Sequence, residues 1–169
     1  LPPFLRDGSC QAVVLGEGDP PYAEALQQLA ADMPGRFAFI PAHSESIARL
    51  IFAGSDAFLV PSLYEPCGLT QMYALRYGSV PIVRDTGGLR DTVTHFDPHS
   101  GVGTGSVFRD ADTGGLSWAI SQVLAWYQQP SACQRLRHNG MQADFSWTHQ
   151  TPHYLALYRR LAGVEAHAS

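Results

Sequence analysis

The segment "EPCGLT" places one carboxylate, Glu65, and one glycine, Gly68, between an apolar strand pattern and a helix pattern. The first turn of a helix leaves backbone N–H groups unpaired, and a glycine has no side chain to keep a phosphate away from them. A carboxylate repels phosphate, so Glu65 is expected to accept hydrogen bonds from sugar hydroxyls. The pattern predicts a site for a phosphorylated sugar. The alternative, in which Glu65 only caps the helix at Cys67 or Gly68, is equally open at this point.

A second glycine turn occurs in "TGGLRDTV", again between a strand pattern and a helix pattern. Gly87 and Gly88 could approach the same crevice as Glu65, or could simply make a tight turn. Arg84, just before this turn, could reach a phosphate or a carboxylate such as Asp91.

The elements that must position these residues alternate along the chain. The strand patterns are "AVVL", "RFAFIPA", "AFLVPS", "VPIV" and "SVF", and helix patterns separate most of them, including one over "CGLTQMYALRYG". This alternation predicts an α/β fold with a parallel sheet and helices on both faces. Ligands bind such sheets outside the carboxyl ends of the strands, where both glycine turns fall.

Three other patterns have simpler explanations. Asp110 and Asp112 have the spacing of a metal motif, but Asp112 precedes a helix pattern and is expected to cap it. His95, Asp97 and His99 lie in a glycine-containing surface loop, and no metal is predicted there either. The aromatic residues of the long helix pattern are expected in the core and between helices; they are Trp118, Trp126 and Tyr127.

Composition narrows the class of protein. The 169 residues suit one domain, here residues 1–169, and 11 Lys and Arg against 15 Asp and Glu give a net charge of -4. The basic residues form no stripe, so a nucleic-acid partner is not expected. Cys10, Cys67 and Cys133 are odd in number and widely spaced, which favours a reducing compartment. No apolar run is long enough to span a membrane.

The stretch "AGSDAFLVPSLYEPCGLTQMYALRYGSVPIVRDTGGLRDTV", with "DFSW" and "YLALYRRL" after it, closely resembles the C-terminal domain of the starch and bacterial glycogen synthases. The segments "LIFAGSD" and "RYGSVPIV" most closely resemble those of the soluble plant and cyanobacterial starch synthases. These are retaining glycosyltransferases of the GT-B fold. The resemblance implies a Rossmann-like C-terminal lobe that binds ADP-glucose, and one that begins after the lobe's first strand–helix unit.

The resemblance also implies roles for individual residues. Glu65 stands where the family glutamate contacts the donor glucose and supports a transition state with a positively charged anomeric carbon. His43 stands where a family tyrosine stacks on adenine, which leaves the choice between ADP and UDP open. The residues expected to hold the diphosphate or the sugar are Cys67, Gly68, Leu69, Thr70, Gly87 and Gly88. No metal or other cofactor is implied.

The expected function is donor binding for an α-1,4-glucan synthase that transfers glucose from ADP-glucose to the non-reducing end of starch or glycogen with retention. The glucan acceptor would bind through an N-terminal lobe outside this chain, so the chain alone is expected to be inactive. Bacterial cytoplasm is the favoured location, and the plastid stroma applies if the source is a plant. The alternatives are another GT-B transferase that uses a UDP-sugar, or a truncated binding module without catalysis.

Overall fold

The computed structural model describes residues 1–163, so the last six residues of the predicted 1–169 domain lie outside the described residues. The strands are β1 Ala12–Leu15, β2 Phe37–Ile40, β3 Ala57–Val60, β4 Val80–Arg84 and β5 Ser106–Phe108. The helices are α1 Pro2–Arg6, α2 Pro20–Asp32, α3 Glu45–Gly54, α4 Thr70–Tyr77, α5 Gly87–Thr92, α6 Thr113–Tyr127, α7 Pro130–Gln142 and α8 Trp147–Leu161. Each strand pattern named above is confirmed, and α1 was not predicted.

Local sequence signals set several helix ends. The Ser44 hydroxyl accepts a hydrogen bond from the Ile47 amide at the start of α3, and the Asp112 carboxylate accepts one from the Gly115 amide at the start of α6. Gly78 ends α4 in the left-handed conformation, with φ of 77°. The capping role predicted for Asp112 is therefore confirmed.

The predicted parallel α/β architecture is confirmed, but the strands form two ladders rather than one sheet. β1 pairs with β2, and β4 lies between β3 and β5, with every pairing parallel. Within residues 1–163 no ladder joins β1 to β3. The second ladder carries the glycine turns, so it is the one that positions the candidate site.

The core lies on the two faces of β4, because successive residues of a strand point to opposite faces. Val80 and Ile82 pack with buried residues of α6 and α7, including Trp126 and Leu136. On the other face, Val83 packs with Val60 of β3 and with residues after the second glycine turn. β4 is therefore a central strand, buried over its first four residues.

Two expectations need correction. Trp126 is buried, but Trp118 and Tyr127 are each 47% exposed. At 3.6 residues per turn Trp118 lies off the buried face of α6, whereas Tyr127 is on that face but is the last residue of the helix. α4 begins at Thr70 and not at Cys67, because Gly68 has a φ of 71°, which interrupts the helix.

Among the described residues, no helix is both long and apolar enough to cross a bilayer.

Candidate functional site

The two glycine turns lie side by side at one edge of the sheet. The β3–α4 loop (residues 61–69) and the β4–α5 turn (residues 85–88, of which Gly87 and Gly88 are the first two residues of α5) each follow the carboxyl end of a strand. β3 and β4 are paired in register from Ala57↔Val80 to Val60↔Val83. Parallel neighbours end at the same edge, so the loop and the turn must meet. The predicted convergence of the two segments is present.

The loop and the turn are in backbone contact, and this contact requires glycine. The Gly88 amide donates a hydrogen bond of 3.1 Å to the carbonyl of Glu65. A Cβ added at Gly87 would lie 1.9 Å from the Glu65 carbonyl oxygen, and one at Gly88 would lie 2.0 Å from that of Cys67. The glycines thus allow the loop to rest on α5. Because the Gly88 amide is already paired, it is not free to bind a phosphate in this conformation.

The Glu65 carboxylate is half-buried and does not cap α4. The N-cap of α4 is Leu69, which makes no side-chain capping hydrogen bond. The Glu65 carboxylate accepts one hydrogen bond among the described residues, from the Ser62 hydroxyl at 3.5 Å. Its remaining lone pairs can accept bonds from a ligand. The capping alternative is therefore wrong, and the ligand-facing alternative stays a prediction.

Unpaired backbone amides follow Glu65. Within residues 1–163, the N–H groups of residues 68–71 donate no hydrogen bond to another backbone or side-chain group. Leu69 and Thr70 are exposed, so the open side of this segment is accessible to a ligand. Unpaired N–H groups at the start of a helix, together with its dipole, favour an anion.

Arg84 does not pair with Asp91 among the described residues. Its Nη1 atom donates to the Leu63 carbonyl at 2.6 Å, so it anchors the β3–α4 loop to the end of β4. Asp85 next to it pairs with Arg90 at 2.5 Å and with Arg109 at 3.5 Å. The hydrogen bond and the charge of Asp85 raise the pKa of Arg90. These contacts fix the β4–α5 turn in position.

Gln71 and Thr92 also hold the loop, and neither was predicted from the sequence. Gln71 is fully buried, and its Nε2 atom lies within 3.2 Å of the Cys67 carbonyl, the Gly68 carbonyl and the Thr92 hydroxyl. A usable signal was present in the sequence. Gln71 occupies the first position of an i, i+3, i+4 set with the buried residues Ala74 and Leu75, so a polar group was aimed at the core.

His43 and the Cys67 thiol are the two remaining predicted site residues with reactive or stacking side chains. His43 follows β2 in the other ladder and has an exposed side chain, so its expected stacking on a base stays a prediction. The Cys67 Sγ atom contacts only the neighbouring Gly68 carbonyl, at 3.7 Å, among hydrogen-bonding groups of the described residues.

The loop between α5 and β5 has internal structural roles. The Asp97 carboxylate accepts bonds from the His99 and Ser100 amides. His95 Nδ1 accepts a bond of 3.1 Å from the Val107 amide, and its ring stacks on Trp118. Burial lowers the pKa of His95. This loop enters β5 at its amino end, opposite the glycine turns.

The fold and the adjoining turns define a parallel α/β protein with a loop at the strand ends that favours an anion. Comparison with known proteins identifies its family. The family model described as "Glycosyl transferases group 1" matches residues 5–142. The chain therefore belongs to the group 1 glycosyltransferase family.

Individual relatives are glycogen synthases and a starch synthase, as the resemblance implied. A glycogen synthase from Syntrophotalea carbinolica is 46% identical over 96% of the chain, and one from Rhodospirillum rubrum is 41% identical over 98%. A solved structure of the catalytic domain of starch synthase IV from Arabidopsis thaliana, bound to ADP and acarbose, matches 89% of the chain with a TM-score of 0.78 and 32% identity. The chain spans about a third of each protein: 33%, 34% and 32% respectively.

Proposed function

We propose that the chain is the donor-binding part of an ADP-glucose-dependent α-1,4-glucan synthase. The full-length protein would transfer glucose from ADP-glucose to the non-reducing end of a growing glucan with retention of configuration. The observation that carries the proposal is the β3–α4 loop. It presents the half-buried Glu65 carboxylate beside unpaired backbone amides, in a chain whose structural relative was solved with ADP.

Each residue of the candidate site has a proposed role. The unpaired amides of residues 68–70 stabilise the negative charge that develops on the departing diphosphate, which fixed dipoles can do without a metal ion. The Glu65 carboxylate accepts hydrogen bonds from the glucose hydroxyls and stabilises positive charge at the anomeric carbon. His43 stacks on the base. Gly87 and Gly88 act at this site by letting the loop lie against α5.

The partners proposed for the full-length protein follow from this role. They are a nucleotide sugar at the loop and an α-glucan acceptor bound by the part of the enzyme outside this chain. The bacterial source of the curated relatives favours the cytoplasm of a bacterium over a plastid stroma.

Calorimetric titration of the full-length protein with ADP-glucose, UDP-glucose and ADP tests the proposal. We expect the two adenine compounds to bind more tightly than UDP-glucose. Tighter binding of UDP-glucose would support the alternative of a UDP-sugar transferase, since His43 replaces the expected tyrosine. Binding without glucose transfer to a glucan primer would support the non-catalytic module, and binding of none of the three compounds would overturn all three readings.

A further inference from the structure

Gln71 is a buried polar residue whose contacts all lead to the candidate site. Its side chain is 0% exposed, and burying an amide costs free energy unless it is hydrogen-bonded. Nε2 lies 3.2 Å from the Cys67 carbonyl oxygen, 3.0 Å from that of Gly68 and 3.0 Å from Thr92 Oγ1. The side chain therefore sits beneath the β3–α4 loop.

The orientation of the Gln71 amide is set by these partners. Both carbonyl oxygens can only accept, so the NH₂ group must face them. Oε1 is then left buried with no hydrogen-bond partner in the described part of the chain. An unpaired buried oxygen lowers stability, so folding stability alone does not explain a glutamine here.

Thr92 continues the same network into α5. Its hydroxyl donates to the Gly88 carbonyl at 2.6 Å, and it therefore accepts the bond from Gln71. The two carbonyls of the loop are thus linked through Gln71 and Thr92 to the helix that follows the second glycine turn. This link joins the two segments that form the candidate site.

Holding a carbonyl on one side of a peptide plane sends the next amide to the other side. All peptide bonds of the described residues are trans, so each C=O is antiparallel to the N–H that follows it. With the Cys67 and Gly68 carbonyls turned inward to Gln71, the N–H groups of Gly68 and Leu69 point away from the buried side. Those two amides are among the unpaired ones.

We propose that Gln71 is a positioning residue for the donor diphosphate. By holding the Cys67 and Gly68 carbonyls inward, its amide keeps the Gly68 and Leu69 N–H groups directed at the ligand, and Thr92 fixes Gln71 in turn. This inference rests on the proposed function, because it assigns those amides to the diphosphate of the nucleotide sugar.

The test compares Gln71→Met, which keeps the length of the side chain and removes its donors, with Ser79→Ala in the full-length protein. Ser79 is 1% exposed and follows the other end of α4, so it is a buried polar control away from the loop. We expect Gln71→Met to raise the Kd for ADP and the KM for ADP-glucose at least about tenfold. The Gly68 and Leu69 amides would no longer be held toward the diphosphate, and their hydrogen bonds to this charged group would be lost. Ser79→Ala should change the Kd for ADP by less than about twofold.

A second pair of variants keeps the proposal falsifiable if Gln71→Met does not fold. Thr92→Val removes the hydroxyl that fixes Gln71, whereas Thr92→Ser keeps it. The valine variant should weaken ADP binding and the serine variant should not. Equal effects of the two, or wild-type affinity in a folded Gln71→Met, would overturn the proposal.

If the proposed function itself is wrong, the binding results will differ from those that reject only the role of Gln71. The wild-type protein would then bind neither ADP nor ADP-glucose, and the role of Gln71 would fall with it. If the wild type binds and Ser79→Ala weakens binding as much as Gln71→Met, only the positioning role is rejected, because general loosening of α4 would account for both.

Discussion

Glu65 keeps carboxylate lone pairs that can accept hydrogen bonds from a ligand. It is half-buried and accepts one bond among the described residues, from Ser62, while its backbone carbonyl is fixed by the Gly88 amide. The backbone therefore holds the position of the residue, and the carboxylate can be changed without removing that support.

We expect Glu65→Gln in the full-length protein to lower kcat for glucose transfer about 100-fold or more, because it removes charge stabilisation in the transition state. The Kd for ADP should change less than about twofold, since ADP lacks the glucose. Transfer assays with radiolabelled ADP-glucose and calorimetry with ADP measure the two quantities. Unchanged kcat, or an equal loss of ADP affinity, would contradict the role assigned to Glu65.

His95 should make stability depend on pH. Burial lowers its pKa from the usual 6.5, and its neutral Nδ1 accepts a bond from the Val107 amide. Between the folded and unfolded pKa values the unfolded chain binds more protons, so the free energy of unfolding rises with pH in that window. The stabilisation is complete above about pH 6.5 and is lost as pH falls through the folded pKa.

Urea denaturation of His95→Gln between about pH 5 and pH 8 checks this expectation. The variant should show a flatter pH dependence than the wild type. His99→Gln is the matched control, because His99 lies in the same loop with an exposed side chain. An equal flattening in both variants would contradict the assignment to His95.

At the scale of elements, the contact between the β3–α4 loop and α5 is the feature that forms the candidate site. It is made of backbone atoms, so it tolerates no Cβ at residue 87 or 88. Register in the β3–β4 ladder brings the two segments together, and α4 and α5 then pack beneath them.

Gly88→Ala should destabilise the protein by about 2 kcal/mol, because its Cβ overlaps the Cys67 carbonyl and must push the loop away. Gly54→Ala is the control: it is also a helical glycine, but a Cβ there meets nothing within 4 Å. That variant should be neutral or slightly more stable. Thermal unfolding compares them, and similar melting temperatures for the two variants would show that the contact is not tight.

At the scale of the whole molecule, the relatives are about three times as long as this chain. The residues proposed for donor binding lie within it, and acceptor binding is proposed to lie elsewhere. We expect the 169-residue chain alone to transfer no measurable glucose to a glucan primer, while the full-length protein does. Transfer by the isolated chain would contradict the division of roles between donor and acceptor segments.

The sequence by itself determined the kind and order of the elements from β1 onward, whereas α1 was not predicted. Apolar runs of strand length and helix periodicity are local signals, and they gave all five strands together with the caps at Ser44, Gly78 and Asp112. Glu65 and Gly68 were predicted as a site because their chemistry is also local. The start of α4 was misplaced, because the positive φ of Gly68 is a property of the folded loop.

Only the tertiary structure decided which groups meet. Gly88 contacts Glu65, 23 residues away along the chain, and Gln71 contacts Thr92, 21 residues away. A local sequence pattern does not predict contacts between atoms at such sequence separations. The pairing of β3 with β4 fixes both contacts, since it brings the carboxyl ends of the two strands to one edge. The separation of β1 and β2 from the second ladder was likewise visible only in the fold. The sequence of a strand does not say which other strand lies beside it, and hydrogen bonds between strands depend on that neighbour.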